Sequence, residues 1–387
     1  MVTRRFVLGA GAGTALAALT GVWAAHSSRP VNAGVPLTAD DLAAAMVLLK
    51  RHPAIDSHAH PGRTFVLGAE NLAWKLRLYQ MLGHFEERVA ADMLAGGVAA
   101  ASFSGVADFP VLDLRDGGLV SVRAFAPGEA WTYYQRQMVN LKALATRGVV
   151  HPVLVPEDIA AARAAGKPGA IFAVEGADFV DDDPTRIATA HADGVRMITL
   201  MHYLAGSKLG DIMTAPPVTD GITDLGRAVV TEMQRTGIMV DLSHASEKTA
   251  FGALAVSSKP MVATHTHTLT HGTQVSRFIS LELARAVADS GGYIGAWPAG
   301  FGIDTLGGMV ERIYQLIDDV GIDHVCLGTD MDANYKPVFD NYRQMPAIVA
   351  ALLRRGMREL DIAKIIGGNF MRVFAAHTAA ATPPATT

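Results

Sequence analysis

The segment AIDSHAHPG, residues 54–62, places two imidazoles two residues apart at the end of a short apolar run. In a β-strand, residues i and i+2 project to the same face. His58 and His60 could therefore grip one metal ion, although two neighbouring loop histidines would read the same way. The rest of the chain decides between them. Glu175 follows GAIFAV, His202 follows ITLM, His244 follows IMVDLS, His265 follows PMVAT and Asp330 follows HVCLGT. Every one is a metal-ligand or proton-transfer type at the end of an apolar stretch. Chance would scatter 14 histidines over loops and helix faces. Four histidines and a carboxylate exceed the needs of one tetrahedral ion. They suit two ions sharing a bridging carboxylate and a bridging hydroxide, and Glu175 is the natural bridge. Such a pair lowers the pKa of the shared water and polarises a carbonyl, which is the chemistry of amide or ester hydrolysis.

These residues need a scaffold that brings strand ends together. Apolar runs recur near 53–57, 98–103, 169–174, 195–200, 237–242, 260–264, 292–296 and 324–328. They are continuous rather than alternating, as in parallel strands buried on both faces. Amphipathic stretches lie between them, roughly at 72–95, 128–147, 184–192, 222–236, 247–257, 280–290 and 308–320. Eight strand–helix units give a (β/α)8 TIM barrel, whose catalytic groups sit at the C-terminal strand ends. An open doubly wound sheet would share the local pattern, but the count of eight favours the barrel. Extra helices are expected before it, in TADDLAAAMVLLKRH, and after it, near 342–356 and 359–374.

At 387 residues and 50% hydrophobic, the chain can bury a large core. Net charge is −4, with no basic run, which excludes a nucleic-acid binder. The one cysteine, Cys326, rules out an intrachain disulfide and a thiolate zinc site, and reads as a core residue. MVTRRFVLGAGAGTALAALTGVWAA has the order of an export signal and resembles a twin-arginine signal. The expected organisation is an export segment over 1–33, one barrel domain over 34–376 and a disordered tail over 377–387. The mature chain is expected in the periplasm or outside the cell, without stable membrane insertion. A membrane anchor formed by an uncleaved signal is the weaker alternative.

The pieces IDSHAHPG, VEGADF, GVRMITLMHY, VDLSH, PMVATHTHT, SRFIS, LGTDMDA and GGNFMRVF, in that order from about residue 54 to 374, resemble the renal (membrane) dipeptidase family of the amidohydrolase superfamily. The resemblance implies two divalent metal ions, zinc foremost, and a small dipeptide substrate. It implies that His58 and His60 hold one zinc, His244 and His265 the other, and that Glu175 bridges. His202 would stabilise the oxyanion, Arg277 would hold the free α-carboxylate, and Asp330 would carry the proton to the leaving amine. Tyr203 joins Arg277 and His202 as a substrate-binding candidate. Two departures stand out. His60 replaces the family's usual Asp, and Met201-His202-Tyr203 replaces a usual Thr-His-Asn.

Asp56 and Asp332 read as supports for the ligands or as caps. His267 and His271 read as loop or substrate-facing residues, and His84, His151 and His324 as surface or packing residues. The Asp181–Asp183 run reads as a solvated helix start. Competing functions are another barrel amidohydrolase, such as an N-acyl-amino-acid deacylase or lactonase, and a non-catalytic ligand-binding protein on the same scaffold. Arg277 separates the first, since a lactonase needs no cation for a free carboxylate. The sequence leaves oligomeric state open, a homodimer included.

Overall fold

A computed structural model describes residues 31–379, apart from 71, 73, 83–84, 116–117 and 270–274. Most of the expected export segment and tail, together with His84 and His271, lies outside the described residues. The strands are β1 (Ala54–Asp56), β2 (Val98–Val106), β3 (Leu112–Arg115), β4 (Gly118–Ser121), β5 (His151–Pro152), β6 (Gly169–Glu175), β7 (Val195–Thr199), β8 (Met239–Asp241), β9 (Ala263–Thr266), β10 (Ile294–Ala296) and β11 (Val325–Leu327).

Parallel pairing runs β1-β2-β6-β7-β8 and, separately, β9-β10-β11. Two seams join these runs. Leu242 N donates to Val262 O at 2.8 Å, and Val262 N donates to Val240 O at 3.1 Å, which fastens β8 to β9. Ser57 N donates to Leu327 O at 3.0 Å, which fastens β1 to β11. The result is a closed ring of eight parallel strands, the barrel expected from the continuous apolar runs.

β6 shows how the sequence positions a ligand. Ala170, Phe172 and Val174 pack outward in the main cluster under the helices. Ile171 and Ala173 point into the barrel with Met197, Met239, Tyr293 and Cys326. Glu175 continues that inward series at the strand's end, so the period of two aims its carboxylate over the barrel axis. Phe370, Val373 and Phe374, on the last helix (Asn369–Thr378), join the interior cluster and plug the opposite end. Among the described residues, no helix is long and apolar enough to cross a membrane.

Helix starts near the strand ends carry side-chain caps. Ser246 accepts from Thr249 N at the start of the helix after His244, and Ser280 accepts from Leu283 N at the start of the helix after Arg277. The expected helix over 72–95 divides into Trp74–Leu82 and Phe85–Ala95. A helix at Glu157–Ala164 was not expected, because EDIAAARA carries almost no apolar periodicity. The antiparallel hairpin β3–β4 was not expected either.

Candidate metal centre

Glu175 lies at the centre of a ring of imidazoles. Its Oε1 is 3.3 Å from His58 Nε2, 3.0 Å from His244 Nε2 and 3.4 Å from His265 Nε2. Its Oε2 is 3.3 Å from His60 Nε2 and 3.2 Å from His202 Nε2. Asp330 Oδ1 is 3.5 Å from His60 Nε2. All seven side chains are buried.

The first strand's two histidines do meet on one side, but through a loop rather than a pleat, because β1 ends at Asp56. That loop is stitched to the one after β11. Asp330 N donates to His58 O at 2.8 Å, and His60 N donates to Met331 O at 2.9 Å. Gly62 N donates to Asp332 Oδ2 at 2.7 Å, so Asp332 is a support, as expected. Gly62 has φ 72°, and a Cβ there would meet Glu86 N at 2.7 Å, so the close approach requires glycine. Asp330 itself takes φ 53°, a left-handed conformation that Asp tolerates better than most residues.

The far sides of His58, His60 and His265 are held by fixed partners, whereas His244 Nδ1 is buried without one. His60 Nδ1 donates to Ser104 O at 3.0 Å, which leaves the Nε2 lone pair facing the centre. Thr264 Oγ1 lies 3.2 Å from His58 Nδ1 and 3.0 Å from His265 Nδ1. Asp241 binds Thr264 in turn, accepting from its N at 2.9 Å and its Oγ1 at 2.8 Å. Asp56 accepts from Thr329 N at 2.9 Å, Tyr342 Oη at 2.8 Å and His58 N at 3.2 Å, the supporting role expected of it.

The electrostatics follow from burial and crowding. Burial and the nearby Arg277 hold His244 well below the usual histidine range, and burial with His58 does the same to His265. Their Nε2 atoms face each other at 3.0 Å. Burial alone would lower His58, but Glu175 and then Asp330 outweigh it and raise the ring to about 9. Burial pushes Asp330 up to about 6 against the pull of His60 and His58. Burial would raise Glu175, yet His202 and His58 hold it well below the usual carboxylate range.

The donor set fits divalent cations. His58 Nε2 and His60 Nε2 are buried without a hydrogen-bond partner, although each faces a Glu175 oxygen. Among the described residues, three groups have ligand atoms within 4.8 Å of one another: His58, His60 and Asp330; His58, Glu175 and His265; Glu175, His202 and His244. These are imidazole and carboxylate ligands without thiolate, a set that takes zinc and its first-row neighbours. His58 belongs to two groups, so the ring does not divide cleanly into a His58–His60 pair and a His244–His265 pair.

The other expected residues surround a cavity of about 720 Å³ over this ring, lined in part by Tyr203, Arg277 and Asp330. Arg277 is buried, with its guanidinium 5.3 Å above the Trp297 ring and donating to Ser243 O and, at 3.0 Å, to His244 Nε2. His267 does not face the cavity. Its ring turns to Gln315 Oε1 at 3.1 Å, which corrects the substrate-facing alternative. His324 packs on Gly292 O at 2.8 Å.

One candidate residue escaped the sequence reading. Asp108 is fully buried, with Oδ1 2.5 Å from His202 Nδ1, and Oδ2 accepts from Tyr203 N at 2.9 Å. Burial would lower His202, but Asp108 and Glu175 raise it above the usual value. The missed signal is that β2 continues through Ser104 and Gly105 to Val106, so VAD is another apolar strand end closed by a carboxylate.

A family model described as membrane dipeptidase (peptidase family M19) matches residues 42–386. The dipeptidase tcpJ of Claviceps purpurea is 29% identical over 216 residues, covering 54% of this chain and 51% of that protein. The dipeptidase verJ of Clonostachys rogersoniana is 28% identical over 215 residues, 54% of this chain and 55% of that protein. The aligned part of the chain thus spans about half the length of these curated relatives. Among solved structures, the probable dipeptidase PvdM from Pseudomonas aeruginosa superposes with TM-score 0.72 at 18% identity, over 89% of this chain and all of that one. A metallo peptidase from Rhodobacter sphaeroides, liganded with a phosphinate mimic of the dipeptide L-Ala-D-Ala, gives 0.69 at 21% identity over 84% and 99%. At such identities the superpositions establish the barrel fold. The family match spans nearly all of the described chain and every strand that carries the imidazole ring: this protein belongs to peptidase family M19, the membrane dipeptidases.

Proposed function

We propose that this chain is a metallo-dipeptidase holding two divalent ions, zinc by the character of its donors, in the ring around Glu175. The observation that carries the reading is that ring, with a buried arginine on the wall of the cavity above it. The bound ions would polarise the scissile carbonyl and make water nucleophilic near neutral pH. His58, His60, Glu175, His244 and His265 are the proposed ligands. Arg277 binds the substrate's free carboxylate, and its planar guanidinium suits a two-point contact. Tyr203 flanks it on the same wall. His202, held in orientation by Asp108, donates from Nε2 to the carbonyl oxygen as negative charge develops there. Asp330, raised by burial, takes a proton from the attacking water. It passes that proton to the amine nitrogen as the C–N bond breaks, giving two free amino acids.

The twin-arginine-like start supports export of the protein already folded and metal-loaded. The test is amino-acid release from a small dipeptide panel, with and without chelator, for the wild type and for Arg277→Met. Chelator-sensitive release, with Arg277→Met raising KM for free dipeptides but not for their C-terminal amides, is expected. Turnover of N-acyl amino acids or lactones with no dipeptide release would move the chain to the deacylase or lactonase reading.

A further inference from the structure

Resting on the dipeptidase reading, we infer that hairpin β3–β4 completes an apolar subsite that selects a large aromatic or branched side chain on the residue donating the scissile carbonyl. The first support is the order of strands around the ring. β2 and β9 stand four places apart among eight, and so face each other across the barrel. Arg277 follows β9, whereas Phe109 and the hairpin follow β2. A dipeptide with its carboxylate at Arg277 therefore extends its amino-terminal residue toward the β2 side.

That side carries an apolar surface, beside which Arg63 also lines the cavity. The Phe65 ring meets His60 edge-on at 5.4 Å and Phe109 at 5.1 Å. Leu112 packs against the same cluster, and all three line the cavity. The hairpin register carries the surface outward. Leu112 and Leu114 share one face of β3, and Leu119 lies directly opposite Leu114. The other face carries the exposed ion pair Arg115–Asp113. Leu114 and Leu119 line the cavity mouth, yet Leu114 is 69% exposed. An apolar side chain left in water at a cavity rim gains contact when a ligand covers it. The volume of about 720 Å³ lies in the upper part of the range of about 300–1,000 Å³ for small-molecule pockets.

The test uses the metal-loaded full chain and the dipeptides Gly-Gly, Leu-Gly and Phe-Gly, whose C-terminal glycine removes stereochemistry at the second residue. The expected kcat/KM for Phe-Gly exceeds that for Gly-Gly by about 100-fold, the scale on which apolar pockets discriminate. Leu114→Ser and Leu119→Ser, tested separately, should each reduce that ratio by about tenfold. Leu114 is exposed enough for its replacement to leave the fold intact. Similar rates on all three dipeptides, or a ratio untouched by both variants, would overturn the subsite and leave the dipeptidase reading standing. No release from any dipeptide by the metal-loaded protein would remove both.

Discussion

Asp108 holds the proposed oxyanion donor His202 in orientation. The carboxylate touches both the ring of His202 and the backbone of Tyr203, fixing the imidazole's plane and favouring its protonated form. Asp108→Asn keeps the shape and removes the charge. It should lower kcat by about 100-fold, the usual loss for an oxyanion donor, with metal content unchanged. Wild-type turnover in that variant would contradict the role given to His202. His58 makes a prediction about pH. Its folded-state value, raised to about 9 without metal, gives stability that is full below the ordinary histidine pKa and lost as pH rises through 9. A cation takes Nε2 only after the proton leaves, so metal affinity should rise with pH up to about 9. Loading at pH 7 should release about one proton from this residue, measurable by calorimetry in buffers of different ionisation heat. Metal binding without proton release would contradict it.

The strand ends are held in place by buried polar seams as much as by apolar packing. Asp241 accepts from Ser243, Thr264 and Thr199, tying β7, β8 and β9 together beneath the ring. Asp241→Ala leaves those buried donors unpaired, at about 1–3 kcal/mol each. Denaturant unfolding should show a loss on that scale, and an unchanged midpoint would mean that water replaces the carboxylate. Most elements could be read from the chain because each ring strand lies in or directly after a short apolar run, and Glu175, His202, His244, His265 and Asp330 stand at the ends of those runs. The hairpin was missed because its strands are only four residues each and largely in solvent, so no apolar run marks them, although LDLR alternates and DGG is a turn signal. Asp108 was missed because Ser104 and Gly105 interrupt the apolar signal of β2 while its backbone pairing with β6 continues.

Metal bound at the proposed ligands would also clamp the whole barrel, because those ligands come from the ends of β1, β6, β8 and β9. Removing the ions should therefore lower the unfolding midpoint. At free metal 100 times its dissociation constant, each site adds about 2.7 kcal/mol. A chelated protein that unfolds at the same temperature as the loaded one would place the ions outside this ring. The sequence carried the barrel through its count of eight and carried the centre through the residue types at the strand ends. It could not show that His58 would lie between two ligand groups, since that follows from how the loops after β1 and β11 are stitched together. The measurement that bears most directly on the account is the metal-to-chain ratio of the purified protein, by elemental analysis, for the wild type and Glu175→Gln in parallel. The account predicts about two divalent ions per wild-type chain and the loss of at least one in the variant. A single ion in the wild type, or two retained without the Glu175 carboxylate, would contradict the bridged pair.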